Sequence, residues 1–437
     1  MLTLKPDRVK LENKNGVPYL LDAHMHLAFE LNDTSELICK DLIEKRNPLD
    51  IAAHITDTFD DITLDEALQE TLSFMDSLKE GELIEEENVN LLQKGTPALT
   101  NVTFSITNRC NLRCMHCLAG STLGRTDEFP LSKIVELVEE LKGLGCKSVS
   151  LFGGEPLVRK DIWEIVHLFQ AARIGVKINT NATLVTPEFA KRAKAEKIIL
   201  FTVSLDGSAA KVQDPFRGQG SWTRNIRGIE ALVEAGNSVY LSTTVTKFNF
   251  NDVPNIAHLA KKLNVTKARF NDVHYGGNAA CFSDSIRLTP PEKFQALENL
   301  KIALDELGDF VIGSTTDQYK IIKNASDDNI PSLPLVINSC GASMGSACLR
   351  ADGVVTPCEI LWDTVCGSVW EKTFAEIYNS APDMVAFRRP LILTEQDIPD
   401  CVGCKYLNAC YKGHRCSPYF NPGSLLKDQA RFNCWVR

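Results

Sequence analysis

From residue 101 onward the hydrophobic positions fall into two alternating kinds of run. Short stretches rich in β-branched residues, "NVTFSIT", "SVSLFG", "VKINTN", "IILFTVSLD", "SVYLSTTV" and "KARFNDV", have the length and composition of strands. Between them lie stretches whose apolar residues recur every three or four positions. Examples are "LSKIVELVEELKGLG", "DIWEIVHLFQAAR", "NIRGIEALVEAG" and "VPNIAHLAKKL", which predict amphipathic helices. Six strand–helix units in series predict an α/β domain around a parallel sheet, open or barrel-like. In such folds functional groups gather on the loops that follow the strands.

The flanks read differently. Residues 1–90 open with two extended stretches, "RVKLEN" and "PYLLDA", followed by three helical ones, the last beginning at Thr63 with Glu66 three residues on. That spacing is a capping box. A small α+β domain is expected here, then a linker over 91–100. The alternating domain fills 101–325, and from 326 to 437 the chain turns rich in cysteine and turn residues. The last segment has little helical pattern and is expected to build little apolar core, so bound metal is expected to supply folding energy.

Charge sharpens this division. The chain has a net charge of −9, yet residues 1–90 alone hold 21 acidic against 8 basic side chains. An acidic N-terminal module argues against nucleic acid as its partner. No apolar run is long enough to span a membrane. The start lacks the apolar segment of a secretory signal, so a cytoplasmic location is expected.

Fifteen cysteines change the picture most, nine of them between Cys340 and Cys434. Without a secretory signal, clustered Cys-x-x-Cys spacing points to metal before disulfides. Cys39, Cys146 and Cys281 stand alone and read as packing. Directly after the first strand comes "CNLRCMHC", with Cys110, Cys114 and Cys117. Three thiolates leave one place open on a four-ligand centre. Zinc, completed by a distant residue, is one reading.

This loop resembles the hallmark of the radical S-adenosylmethionine (SAM) superfamily. The resemblance implies a partial (β/α)6 barrel and a 4Fe–4S cluster held by the three cysteines, the fourth iron taking the amino and carboxylate groups of SAM. One electron passed to the sulfonium then yields a 5′-deoxyadenosyl radical that abstracts hydrogen. His116 would cover the cluster rather than bind it. "GGEP" follows the second strand 36 residues after Cys117, where Gly153, Gly154 and Glu155 would receive the ammonium of SAM. Asn181 in "NTNAT" and Ser204 in "SLDG" are further SAM contacts by the resemblance. Asp206 would serve the ribose or the turn, and Arg217 in "FRGQGSW" would pair with the SAM carboxylate.

The cysteine-rich tail resembles the SPASM extension of these enzymes. By that resemblance Cys401, Cys404, Cys410 and Cys434 hold one auxiliary 4Fe–4S cluster. Cys340, Cys358 and Cys416 hold a second, with Cys348 as fourth ligand and Cys366 as its rival. That makes three clusters in all, the auxiliary pair serving as structural staples, electron relays or a substrate site. Glu359, beside a ligand, is either a proton acceptor during product formation or a solvent-exposed acid.

Residues 1–90 resemble the PqqD-like fold, a winged-helix-like element that binds the leader of a ribosomally made precursor peptide as an added strand. Together the resemblances imply a peptide maturase that forms a thioether or carbon–carbon cross-link, fed electrons by a flavodoxin or ferredoxin. Sulfatase-type maturation, haem-pathway or small-molecule oxidation, and peptide epimerisation are the rival activities. A zinc-rich binding protein is the non-enzymatic one.

Overall fold

The computed structural model describes residues 2–5, 8–22, 27–44, 46, 48–81, 83–86, 97–274, 276–323, 335–337, 341–388, 391–393, 402–403 and 405. The chain divides into two compact units, Met1–Thr96 and Pro97–Arg437.

In the first unit Leu2–Leu4 (β1) pairs antiparallel with Ile84–Glu86, and a separate three-stranded antiparallel sheet runs through Val9–Lys14 (β2), Val17–Asp22 (β3) and Leu27–Glu30 (β4). Three helices follow, Asp33–Ile43 (α1), Pro48–Thr58 (α2) and Leu64–Glu80 (α3), before Ile84–Glu86 (β5). Asn32 caps α1 by accepting the Ser35 N–H at 2.8 Å, and Thr63 and Glu66 form the reciprocal box that the spacing predicts. Ile38, Leu42, Ile51, Ile55, Leu68 and Met75 meet with Leu20 in one core. Three strands, β1, β4 and β5, escape the sequence reading. All four residues of β4 are exposed, so no alternation marks it, and β5 gains its identity from β1, some eighty residues away.

The second unit is built on six parallel strands: Asn101–Thr107 (β6), Ser148–Gly153 (β7), Gly175–Thr180 (β8), Leu200–Ser204 (β9), Val239–Val245 (β10) and Lys267–Asp272 (β11). Each lies beside its successor in the chain. The connecting helices are Leu131–Gly143 (α4), Ile162–Ala171 (α5), Pro187–Ala195 (α6), Ala210–Arg217 (α7), Ser221–Glu234 (α8) and Val253–Lys262 (α9). Because right-handed crossovers all step in one direction, the helices collect on one face of the sheet. Along β10, Val239, Leu241, Thr243 and Val245 are buried while Tyr240, Ser242 and Thr244 stay partly open. The apolar set faces the helices, and the polar set forms an inner face.

After β11 come two short helices, Gly277–Cys281 (α10) and Ser283–Ile286 (α11), then Pro290–Leu307 (α12). Val311–Ile312 (β12) joins the sheet beside β11, followed by Ser314–Lys323 (α13) and Leu335–Ile337 (β13). The C-terminal region departs from expectation. Ser346–Leu349 (β14) pairs parallel with β6, and Val354–Thr356 (β15) and Gly367–Ser368 (β16) extend the same sheet to ten strands. Leu349, Val355, Phe374, Ile377, Tyr378 and Met384 share the barrel's own core, so this region does contribute apolar packing. The sequence reading misses this because β14 to β16 are two to four residues long. Gly353 shows how tight the join is. It has a φ of +91°, and a β-carbon there would lie 2.1 Å from Trp370 Nε1. No helix among the described residues is long and apolar enough to cross a membrane.

Candidate active site

The three cysteines sit on the loop leaving β6, and each is half-buried. Sulfur-directed donors surround them. Leu112 N lies 3.4 Å from Cys110 Sγ, Asn181 Nδ2 4.0 Å from the same atom, and Arg217 Nη1 3.8 Å from Cys114 Sγ. Burial, with smaller contributions from nearby negative groups, pushes the Cys110 thiol up to about 12 and the Cys114 thiol up to about 11. Three thiolates gathered in a poorly solvated place need a cationic centre, and the N–H groups facing them suit a sulfur-bound one. Among the described residues no three His, Cys, Asp or Glu side chains converge where a single ion would sit. In a four-iron cluster each thiolate takes its own iron, so such convergence is not required.

The "GGEP" turn presses against this loop. Gly154 N donates to Thr107 O and Glu155 N to Arg109 O, both at 2.8 Å. A β-carbon at Gly153 would meet Thr107 O at 2.0 Å, and one at Gly154 would meet Arg109 O at 2.1 Å. The bare Cα atoms of both glycines admit the cysteine loop. Glu155 also turns inward. It is 1% exposed, and its carboxylate accepts from Thr180 Oγ1 at 2.7 Å, Leu157 N at 3.1 Å and Asn181 N at 2.7 Å. Burial pushes this carboxyl up to about 7 despite the three donors.

Asn181 continues the network. Its Nδ2 donates to Asn111 Oδ1 at 2.9 Å, and its Oδ1 accepts from Thr183 N at 2.9 Å. Asn111 Nδ2 closes the ring on Thr183 Oγ1 at 2.8 Å. Ser204 ends β9 on the inner face and is half-buried.

Asp206 and Arg217 are brought together. Asp206 is fully buried and accepts from Arg217 Nε, from His116 Nε2 at 3.2 Å and from Thr244 N at 2.8 Å. Burial works against its charge, but Arg217 and then His116 outweigh it and hold the carboxyl at about 2. Burial lowers the His116 ring below its usual value, with Asp206 beside its Nε2 working the other way. Its Nδ1 is buried with no hydrogen-bond partner among the described residues. Arg217 is thus one arm of a buried ion pair, and its Nη1 reaches Cys114 Sγ.

In the C-terminal region Cys348 is buried on the rung it shares with Thr103 of β6. Glu359 is exposed, and its Oε2 accepts from Thr103 Oγ1 at 3.4 Å. Burial, then Glu359, raises the Cys348 thiol. Cys358 packs near Ala342, Leu361 and Phe387. Cys366 packs against the main core, with Asp383 and Arg388 as its neighbouring charges. Cys340, Cys401, Cys404, Cys410, Cys416 and Cys434 lie outside the described residues. Sequence reasoning misses Arg159, Asn111, Thr180 and Asn278, all within hydrogen-bonding reach of this network or of the cysteine loop. Their only signal is proximity in chain to the motifs, and Asn278 lacks even that.

Residues 104–260 match the radical SAM superfamily. That stretch is a radical SAM domain, and the chain is an enzyme. Residues 340–405 match the SPASM iron–sulfur cluster-binding domain, so SAM and iron–sulfur clusters are its cofactors. The chain is 28% identical over 344 residues to mycofactocin maturase MftC of Mycolicibacterium smegmatis, covering 76% of this chain and 82% of that protein. It is 26% identical over 347 residues to the AdoMet-dependent heme synthase of Methanosarcina barkeri, covering 76% of this chain and 97% of that one. The crystal structure of Streptococcus suis SuiB bound to precursor peptide SuiA superposes with a TM-score of 0.56 at 14% identity, covering 96% of both chains. That last likeness is one of fold. The chain is thus similar in sequence both to a mycofactocin maturase and to a heme synthase.

Proposed function

We propose that this radical SAM–SPASM enzyme matures a ribosomally made precursor peptide. The N-terminal unit takes the leader as an added strand, and the barrel acts on the core peptide to form an intramolecular thioether or carbon–carbon cross-link. One observation carries this reading. The heme synthase is matched almost from end to end by 76% of this chain, leaving about a quarter without a counterpart, whereas the SuiB fold accompanies 96% of it. Within the first unit, β4 is an edge strand on which Leu27 is 49% and Phe29 43% exposed. An apolar edge without a strand partner among the described residues suits an extended peptide. The acidic balance of residues 1–90 favours a leader of basic or neutral character.

In this reading Cys110, Cys114 and Cys117 hold the SAM-binding cluster, with Gly153, Gly154, Glu155, Asn181, Ser204, Asp206 and Arg217 shaping the pocket for SAM. Cys401, Cys404, Cys410 and Cys434 hold one auxiliary cluster. Cys340, Cys348, Cys358 and Cys416 hold the other, since Cys348 lies on the inner face near Glu359 while Cys366 is spent on the core. Glu359, exposed beside Thr103, is the group available to accept a proton from substrate. A flavodoxin or ferredoxin supplies electrons.

The test is anaerobic incubation of reconstituted enzyme, SAM and reductant with short peptides encoded beside its gene, followed by mass spectrometry. Loss of two hydrogens from one peptide, dependent on residues 1–90, is the expected result. Turnover of a porphyrin with every such peptide unchanged overturns the reading.

A further inference from the structure

We propose that Arg159 and Asn278 are positioning residues that hold the cysteine loop in its cluster-binding shape before iron arrives. The inference rests on the reading of Cys110, Cys114 and Cys117 as cluster ligands. The segment between Ile106 and Phe129 carries all three thiols, and a connection of that length ordered only by its cargo would lose much conformational entropy on loading. Gathering three thiolates also costs electrostatic energy. Hydrogen bonds that fix the loop's backbone meet the entropic part of those costs in advance.

Arg159 closes the neck of the loop. It is 5% exposed, and its Nη1 donates to Ile106 O at 2.9 Å and to Phe129 O at 2.8 Å, the residues that enter and leave the loop. Its other edge is locked on Asp161, Nε to Oδ1 at 2.9 Å and Nη2 to Oδ2 at 2.6 Å. A planar fork fills both edges at once; a lysine ammonium has no second edge to offer. The same short stretch begins with Gly153–Glu155, so the cysteine loop and the turn next to it hang from one brace.

Asn278 ties down the far end. Its Nδ2 donates to Cys114 O at 3.0 Å and its backbone N to Cys117 O at 2.9 Å. Gly277, with a φ of +53°, lets the two segments meet, because a β-carbon there would lie 2.4 Å from Leu118 O. Val273, Ala279 and Ile286 pack with Met115 under the contact. The loop is therefore held from the second strand at its base and from beyond the sixth at its tip, through backbone carbonyls that leave all three sulfurs free for iron.

The experiment uses the full chain reconstituted with iron and sulfide and reduced with dithionite. Electron paramagnetic resonance with and without SAM isolates the SAM-binding cluster, because the auxiliary clusters do not respond. Arg159→Met should lower the SAM-responsive signal per folded chain about tenfold and weaken SAM binding by a similar factor, while the SAM-silent signal persists. Arg159→Lys should fall between it and wild type. Asn278→Ala, a milder change at the rim, should give a loss of about threefold within the same class of outer-shell effects. Wild-type signal and SAM affinity in folded Arg159→Met or Asn278→Ala overturns the inference, as does a loss no larger than the loss of folded protein. Should Arg159→Met fail to fold, Asn278→Ala decides. Absence of the SAM response in wild type overturns the cysteine assignment itself, and the inference with it.

Discussion

Glu155 Oε2 accepts the backbone N–H of Asn181 at 2.7 Å, joining the turn after β7 to the turn after β8. The contact is buried, and its pH dependence has a definite sign. A carboxyl held at about 7 in the folded chain and near its ordinary value when unfolded is favoured neutral by the fold. As pH rises from about 4.5 through 7, the unfolded chain releases that proton first, so stability falls with rising pH. The loss reaches about 3 kcal/mol above pH 7. Urea titrations of iron-free protein at pH 5 and pH 8 should show the gap between wild type and Glu155→Gln moving toward the variant by that order. A gap that does not change with pH refutes the assignment.

Asp206→Asn should be severe. It leaves the Arg217 guanidinium buried without its counter-charge, a change that costs about 3–5 kcal/mol when a buried pair is broken from one side. Denaturant midpoints should drop accordingly, and SAM affinity should fall because His116 loses its orienting acceptor. The double change Asp206→Asn with Arg217→Met should recover part of the stability.

Alanine at any one of Cys110, Cys114 or Cys117 should abolish formation of deoxyadenosine from SAM. Cys348→Ala should remove up to roughly four irons per chain and leave SAM binding intact, whereas Cys366→Ala should leave iron content unchanged. Iron analysis with SAM-binding calorimetry checks both. Equal iron in the two variants contradicts the choice of Cys348.

Replacing Leu27 and Phe29 together by serine should weaken leader binding about tenfold, since each is an exposed apolar side chain on an edge strand. Cleavage of SAM in the absence of peptide should not change. Leader affinity should also weaken as salt rises, because the acidic charge of the first ninety residues is screened. Fluorescence anisotropy of a labelled leader measures both effects.

The alternation of the six parallel strands with helices, the capping box at Thr63 and Glu66, and the placing of every motif at a strand end are legible in the sequence, because periodicity and spacing are local properties. Sequence also carries the chemistry, since three thiols at fixed intervals after a strand survive any detail of packing. What it does not carry are partnerships made across the chain. That Gly153 and Gly154 admit the cysteine loop depends on Thr107 and Arg109, and that Arg217 is paired depends on Asp206. The strand at Ser346–Leu349 exists because β6 offers it an edge, and the brace of Arg159 and Asn278 exists because two distant segments converge on one loop. Hydrogen bonds between residues far apart in the chain leave no periodic trace, so only the tertiary structure decides them.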